Sequence, residues 1–121
     1  MTYPIWRRLI AFIMFCCCVI GTAHANPKST EAEVRQLWQL LDYVAVDYAG
    51  AVQNGTIVSQ LEYGEMQEFS TRAQNQVKAL PPHPLHAELV AATTRLKQAV
   101  ERKESPQQVS RLAREANRLL L

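Results

Sequence analysis

Three glutamates recur at every third position in one short segment of the chain, at Glu62, Glu65 and Glu68. Steps of three turn a helix through about 300°, so the three carboxylates share one broad helical face. Neighbouring carboxylates repel each other unless a cation or a base offsets their charge. Oxygen ligands of this kind suit hard cations, and iron where histidine or tyrosine assists. The spacing therefore raises the hypothesis of a cation site.

Asp42 is the acid that we expect to meet Glu62. A helical projection places Asp42 at the edge of the apolar stripe of one predicted helix, and Glu62 near the centre of the next stripe. The two side chains are therefore predicted to face each other across a helical hairpin, as inner ligands of a metal ion. The alternative is that Glu62 only caps its helix, because acids are favoured in a first helical turn.

Four further residues complete the predicted metal site. Asp47 and Glu65 are expected close to the inner ligands, with Tyr43 or Tyr63 assisting, since tyrosines beside carboxylates can bind ferric iron. The alternative is that the tyrosines close the edge of the core with their hydroxyls in water. The sequence has no nucleophile–histidine–acid arrangement, phosphate-binding loop or HExxH motif, so we expect no enzymatic activity.

The first 25 residues predict export. Arg7 and Arg8 precede twelve consecutive apolar residues, and an Ala-His-Ala sequence then presents small residues to a signal peptidase. We predict a signal peptide over residues 1–25, cleavage before Asn26 and a periplasmic location. The apolar run is shorter than the roughly 20 residues that a membrane-spanning helix needs, so no stable membrane insertion is expected after cleavage.

The remainder, residues 26–121, is neutral and free of cysteine. Without Arg7 and Arg8, the eleven remaining bases balance eleven acids, which gives no support to nucleic-acid binding. All three cysteines lie inside the apolar run, so the mature chain has no disulfide, thiolate metal site or iron–sulfur cluster. With 48% hydrophobic and 20% charged residues, the chain has the composition of one small globular domain.

Capping signals and helix breakers divide this domain into four helices. Asn54-Gly55 ends the first helix, and a proline-rich corner that begins at Pro81 ends the second. Apolar residues recur with helical spacing in each segment, with Leu37 or Trp38 in the first stripe. The short connections favour an all-α, antiparallel up-down four-helix bundle. The predicted helices run from the capping box at Thr30 to about Gln53, from the capping box at Ser59 to about Ala79, from about Leu85 to Lys103, and onward from Ser105-Pro106.

Charge is divided unevenly along the chain. Residues 31–68 contain seven acids and one base, whereas residues 72–121 contain nine bases and four acids. One interpretation is that an acidic hairpin packs beside a basic hairpin, with ion pairs along the rim. The other is that the acidic half gathers its carboxylates to hold a cation.

Two segments in the acidic half are distinctive: LLDYVAVDYAGAV at residues 40–52 and EYGEMQEF at residues 62–69. Together they resemble the extracytoplasmic N-terminal region of bacterial members of the high-affinity iron permease family. The resemblance implies a periplasmic helical domain without the membrane-spanning permease. It also implies that the domain presents its acids to iron or to a membrane iron-uptake system, and these acids are Asp42, Asp47, Glu62 and Glu65.

Two functions of different classes are consistent with these observations. The first is an exported iron-binding or iron-uptake accessory domain. The alternative is a metal-free structural or protein-interaction bundle, which docks its acidic and basic faces onto a partner or a second copy.

Overall fold

The computed structural model describes residues 27–121, and within them it confirms the predicted all-α four-helix bundle. The predicted signal peptide, residues 1–25, and its cleavage site before Asn26 lie outside the described residues. The elements are α1 (Pro27–Ala51), β1 (Val52–Gln53), β2 (Thr56–Ile57), α2 (Gln60–Ala79), α3 (His86–Glu101) and α4 (Pro106–Leu119).

The core lies between four helices that pack as neighbours around it. Helix α1 packs against α2 and α4, and α3 packs against the same two helices. Each helix contributes an apolar stripe with the spacing predicted from the sequence. The core includes Leu37, Leu41, Val44, Met66, Val77, Leu96, Val100 and Val109, all at most 1% exposed.

Trp38 is an exception to the predicted stripes. Leu37 is fully buried, whereas Trp38 is 40% exposed. Consecutive helical positions are about 100° apart, so the two residues cannot both point to the centre of the bundle. The smaller side chain occupies the interior, and the tryptophan is left at the surface of α1.

Local signals in the sequence define the starts of α2 and α4. Ser59 Oγ accepts a hydrogen bond from the backbone N–H of Glu62 at 3.3 Å, which is one of the two bonds of the predicted capping box. The Ser59 N–H donates instead to the carbonyl oxygen of Ala51, at 3.4 Å. Ser105 Oγ accepts from the N–H of Gln108 at 3.2 Å. The predicted start of α1 at Thr30 is wrong, because the helix already begins at Pro27. Proline is favoured at a first helical position, where its missing N–H would have no partner.

A short β-hairpin, which the sequence did not predict, joins α1 to α2. Asn54 and Gly55 both have positive φ, 51° and 70°, as the predicted break in the helix requires. However, α1 ends at Ala51 rather than Gln53, and residues 52–53 pair antiparallel with residues 56–57. A two-residue loop with positive φ at both positions matches the twist of paired strands, so it favours a hairpin over a longer helix.

Within residues 30–121, no ion pair joins the acidic half to the basic half. Among the described residues, one ion pair lies within α1, and the others lie within or between α3 and α4. Only Arg95–Glu115, at 3.1 Å, joins two different helices. The predicted rim of ion pairs between the halves is therefore absent from this part of the chain, and the shared apolar core joins them.

Leu96→Ala should destabilise the domain by about 2–5 kcal/mol, because it leaves a cavity where the side chain is fully buried. Chemical denaturation followed by circular dichroism measures the change. Leu61→Ala is the matched control, since Leu61 is 77% exposed and its truncation should cost no more than about 0.5 kcal/mol. Equal losses in the two variants would contradict the packing described above.

Candidate functional site

Two contacts define how α1 and α2 are aligned. The ring centroid of Tyr43 lies 6.0 Å from that of Phe69. Further along, Glu62 lies against Gly50, and a Cβ added at this glycine would be 2.6 Å from Glu62 Oε2. The hairpin makes the two helices antiparallel, so each step forward along α1 matches one step back along α2.

This alignment places Asp47 at the level of Glu65, between the two observed contacts. On each helix the residues concerned fall within about 60° of one another, on one side of the helix. We call the resulting surface the α1–α2 groove. Its observed contacts are Tyr43–Phe69 and Gly50–Glu62, and the register between the helices adds Asp47 of α1 and Glu65 of α2.

The groove lies at the surface of the bundle. Glu62 and Glu65 are exposed, Asp47 is partly buried, and Tyr43 is 57% exposed. The sequence predicted that Glu62 lies near the centre of the apolar stripe of α2, and this prediction is wrong, because Glu62 is exposed. Tyr63 and Met66 are buried there instead. The carboxylates of the groove are therefore open to solvent and to any ion or partner in it.

The structure does not bring Asp42 and Glu62 together. Gly50 is the residue of α1 that meets Glu62, and Asp42 lies eight residues away, about 12 Å along the helix axis. Asp42 is also turned by about 140° from Asp47, away from the groove. Helical projections had placed both acids beside apolar stripes, but the register between the two helices separates them.

Tyr63, another predicted ligand, points into the core. It is 4% exposed, and its hydroxyl donates a hydrogen bond to the carbonyl oxygen of Val100 at 3.0 Å. The Lys103 ammonium lies 5.6 Å from the centre of its ring. Burial, and then the nearby Glu101 carboxylate, raise the pKa of Tyr63. In this position the hydroxyl is bonded to backbone and is not directed at the groove.

Tyr48 makes an equivalent bond from α1. It is fully buried, and its hydroxyl donates to the carbonyl oxygen of Glu104 at 2.8 Å. Burial raises the pKa of Tyr48 from 10.0 to about 12, with smaller contributions from Tyr63 and Glu104. The carbonyls at the end of a helix have no partner within that helix. The two tyrosines therefore fasten α1 and α2 to the end of α3 and the loop that follows it.

The six predicted metal ligands thus divide into two groups. Within residues 27–121, no three His, Cys, Asp or Glu side chains come close enough to hold a metal ion between them. Four of the six, namely Tyr43, Asp47, Glu62 and Glu65, share the groove, whereas Asp42 and Tyr63 lie elsewhere.

The two histidines of the proline corner take part in its local hydrogen bonding. His86 Nε2 lies 2.8 Å from the carbonyl oxygen of Val77, so this nitrogen carries the proton. His83 Nδ1 accepts a hydrogen bond from the backbone N–H of Leu85 at 3.1 Å. These contacts stabilise the connection between α2 and α3.

Sequence reasoning missed the other end of the groove, where Arg72 and Gln76 line a cleft with Tyr43 and Phe69. One signal was available, because Arg72 is the first base after the acidic stretch at residues 31–68. Glutamines carry no comparable signal. That the glutamines and Arg72 share one cleft becomes apparent only when the register between α1 and α2 is known.

The fold and the groove define a class: a small four-helix bundle domain whose acids are concentrated on its first helical pair. Among residues 27–121, no helix has both the length and the apolar character needed to span a membrane. The family model described as the iron permease-associated 4-helix bundle domain matches residues 24–120, and the chain belongs to that family. The resemblance of its acidic segments to iron permeases is thereby confirmed. No curated protein and no solved structure matches the chain.

Tyr48→Phe should destabilise the domain by about 1–3 kcal/mol, because it leaves the Glu104 carbonyl without its donor. Urea denaturation at pH 8 measures this loss. Tyr43→Phe, at an exposed position, should change the stability by no more than about 0.5 kcal/mol.

The same variant should alter the response to alkaline pH. Because the pKa of Tyr48 is raised to about 12 in the folded state, the folded protein binds more protons than the unfolded chain above pH 10. Stability therefore falls as the pH rises from 10 towards 12, and Tyr48→Phe should make that fall shallower. An unchanged slope would show that Tyr48 is not held as described.

Proposed function

We propose that the protein is an exported, non-enzymatic accessory domain of an iron-uptake system, and that it binds iron in the periplasm. Membership of the iron permease-associated 4-helix bundle family supports the link to iron uptake. The signal sequence predicted over residues 1–25 supports export. The partner in this proposal is a membrane iron-uptake protein that receives the ion, and nucleic acid plays no part.

The observation that carries the iron proposal is a set of unpaired carboxylates in the α1–α2 groove. Asp47, Glu62 and Glu65 take part in none of the ion pairs among the side chains of residues 30–121. Their negative charge is therefore not offset by a neighbouring base, and it attracts cations. Carboxylate oxygens suit hard cations such as ferric iron, and Tyr43 can add a phenolate oxygen.

The exposure of these groups favours transfer over storage. Glu62 and Glu65 are exposed, and their carboxylates accept no hydrogen bond from another described residue. Such ligands must be drawn together by the ion itself, which costs side-chain entropy and weakens the binding. An ion held in this way is released readily to a partner that approaches the groove.

One observation favours the alternative, a metal-free interaction bundle. Helix α1 exposes Trp38 and Val46, at 40% and 58%, alongside Tyr43. Tryptophan and tyrosine are the side chains most often found at the centre of protein–protein interfaces. In that case α1 contacts the partner through its outer face, and the groove acids supply charge complementarity alone.

Replacing all three groove acids, Asp47→Asn, Glu62→Gln and Glu65→Gln, should abolish iron binding. The full chain is expressed, the protein is recovered from the periplasm without chelator, and its iron is measured by elemental analysis. Ferric and ferrous titrations follow. The wild-type protein should take up iron, with a visible phenolate charge-transfer band in the ferric form, and the triple variant should take up none.

A second triple variant controls for charge. Glu33→Gln, Asp42→Asn and Glu68→Gln remove the same number of acids and leave the groove set intact. This variant should bind iron as the wild type does. Equal losses in the two triples, or a wild-type protein that ignores added iron, would contradict the site and favour the interaction bundle.

Gly50→Ala should raise stability and weaken iron binding at the same time. Alanine in a helix is favoured over glycine by about 0.5–1 kcal/mol. The added methyl group would lie 2.6 Å from Glu62 Oε2. Because this oxygen is the flexible end of a side chain, the carboxylate moves aside at little cost in stability. Iron binding weakens because the displaced carboxylate no longer lies in the groove. Thermal denaturation measures the gain in stability, and iron titration measures the loss of affinity.

Gly64→Ala is the matched control on α2. Nothing lies within 4 Å of a Cβ added at Gly64, so this substitution should stabilise its helix and leave iron affinity unchanged. If the two alanine variants bound iron equally well, Glu62 would not be a ligand.

A further inference from the structure

The α1–α2 groove continues beyond Tyr43 and Phe69 into a second, chemically different region. Between the first half of α1 and the second half of α2 lies a cleft with a volume of about 310 Å³. None of the residues that line it is an acid. The main lining residues are Gln36, Gln39 and Tyr43 of α1 and Phe69, Arg72 and Gln76 of α2.

Arg72 gives this cleft a positive charge. It takes part in none of the ion pairs among residues 27–121. A guanidinium presents two parallel N–H donors that match the two oxygens of a carboxylate. Arg72 therefore favours a ligand with a planar anionic group.

Gln76 adds a polar group that the protein does not satisfy. Its Oε1 is buried and has no hydrogen-bond partner among the described residues. A buried amide oxygen without a partner is unfavourable, so a ligand towards which the Gln76 side chain turns relieves a cost already present in the free protein.

Tyr43 and Phe69 supply an aromatic wall. Their rings are 6.0 Å apart and tilted by 51° to each other, and Tyr43 remains 57% exposed. Offset and tilted aromatic contacts are favourable, so a third ring can pack against this pair. The cleft thus combines one cation, one unsatisfied amide and an apolar wall.

We propose that the cleft binds a small aromatic carboxylate that carries a ring hydroxyl. The carboxylate pairs with Arg72, the ring packs against Tyr43 and Phe69, and the hydroxyl bonds to the amide of Gln76. A hydroxyl both donates and accepts, so it serves either orientation of the amide. A single negative charge matches the one arginine, while Glu68, one helical turn before Arg72, disfavours a more highly charged ligand.

This binding is independent of iron, and the test is done without it. Wild-type protein from the periplasm, freed of metal by chelator, is titrated with 3-hydroxybenzoate and 4-hydroxybenzoate, and binding is followed by amide chemical shifts. At least one of the two should cause saturable shifts at residues 69–76, with a dissociation constant below about 1 mM. Phenol, which lacks the carboxylate, and acetate, which lacks the ring, should each bind at least tenfold more weakly.

Two variants separate the parts of the site. Arg72→Gln should weaken binding at least tenfold, whereas Arg114→Gln, which removes an exposed arginine from α4, should leave it unchanged. Gln76→Leu should bind hydroxybenzoate no better than benzoate, because only the contact with the hydroxyl is lost. The same variant should have a higher Tm than the wild type when no ligand is present, since it removes the unsatisfied amide.

The proposal is overturned if neither hydroxybenzoate causes saturable shifts at up to about 10 mM. It is overturned equally if the two arginine variants lose affinity to the same degree, or if the shifts lie outside α1 and α2. Circular dichroism of each variant establishes that a loss of binding does not come from unfolding.

Discussion

The alignment of the bundle depends on two hydroxyl groups that donate to backbone at the far end of α3. Apolar packing holds the four helices together, but the hydrophobic effect itself has no direction. The bonds from Tyr48 to Glu104 and from Tyr63 to Val100 are directional, and they tie α1 and α2 to the same end of α3. Because both helices are bonded to the same end of α3, the position of each along the bundle axis relative to the other is also determined. The composition of the α1–α2 groove follows from that alignment.

The α1–α2 groove therefore has two ends that differ in their side chains. The end near the hairpin gathers carboxylates, and the opposite end gathers an arginine, glutamines and an aromatic pair. Tyr43 and Phe69 lie at the boundary and belong to both ends. Among the described side chains, no ion pair crosses between the two ends. The uneven charge along the sequence is thereby preserved on the folded surface.

Features that depend on a few adjacent residues could be predicted from the sequence, whereas features that depend on register could not. The serine caps at Ser59 and Ser105 each involve groups within four residues, and both were predicted correctly. The break at Asn54-Gly55 was predicted too, although the hairpin around it was not. Four of the six predicted metal ligands share one groove, since a common helical face follows from spacing alone. To predict whether Asp42 meets Glu62, one must know how α1 and α2 are shifted along their axes relative to each other. Contacts between residues far apart in the sequence determine that shift. The role of Tyr63 was missed for the same reason, because its partner is 37 residues away.

The hairpin that joins α1 to α2 has a consequence for the order of assembly. Its two-residue turn brings Gly50 and Glu62 together across only a few residues of loop, so this helical pair closes with little loss of chain entropy. Contacts between α1 and α4 require most of the chain to be in place, and such non-local contacts form more slowly. We therefore expect the groove, with both of its chemistries, to form early, while the basic half is still folding onto it. Residues 36–76 carry the whole surface, so it behaves as a unit that forms within one continuous stretch of chain.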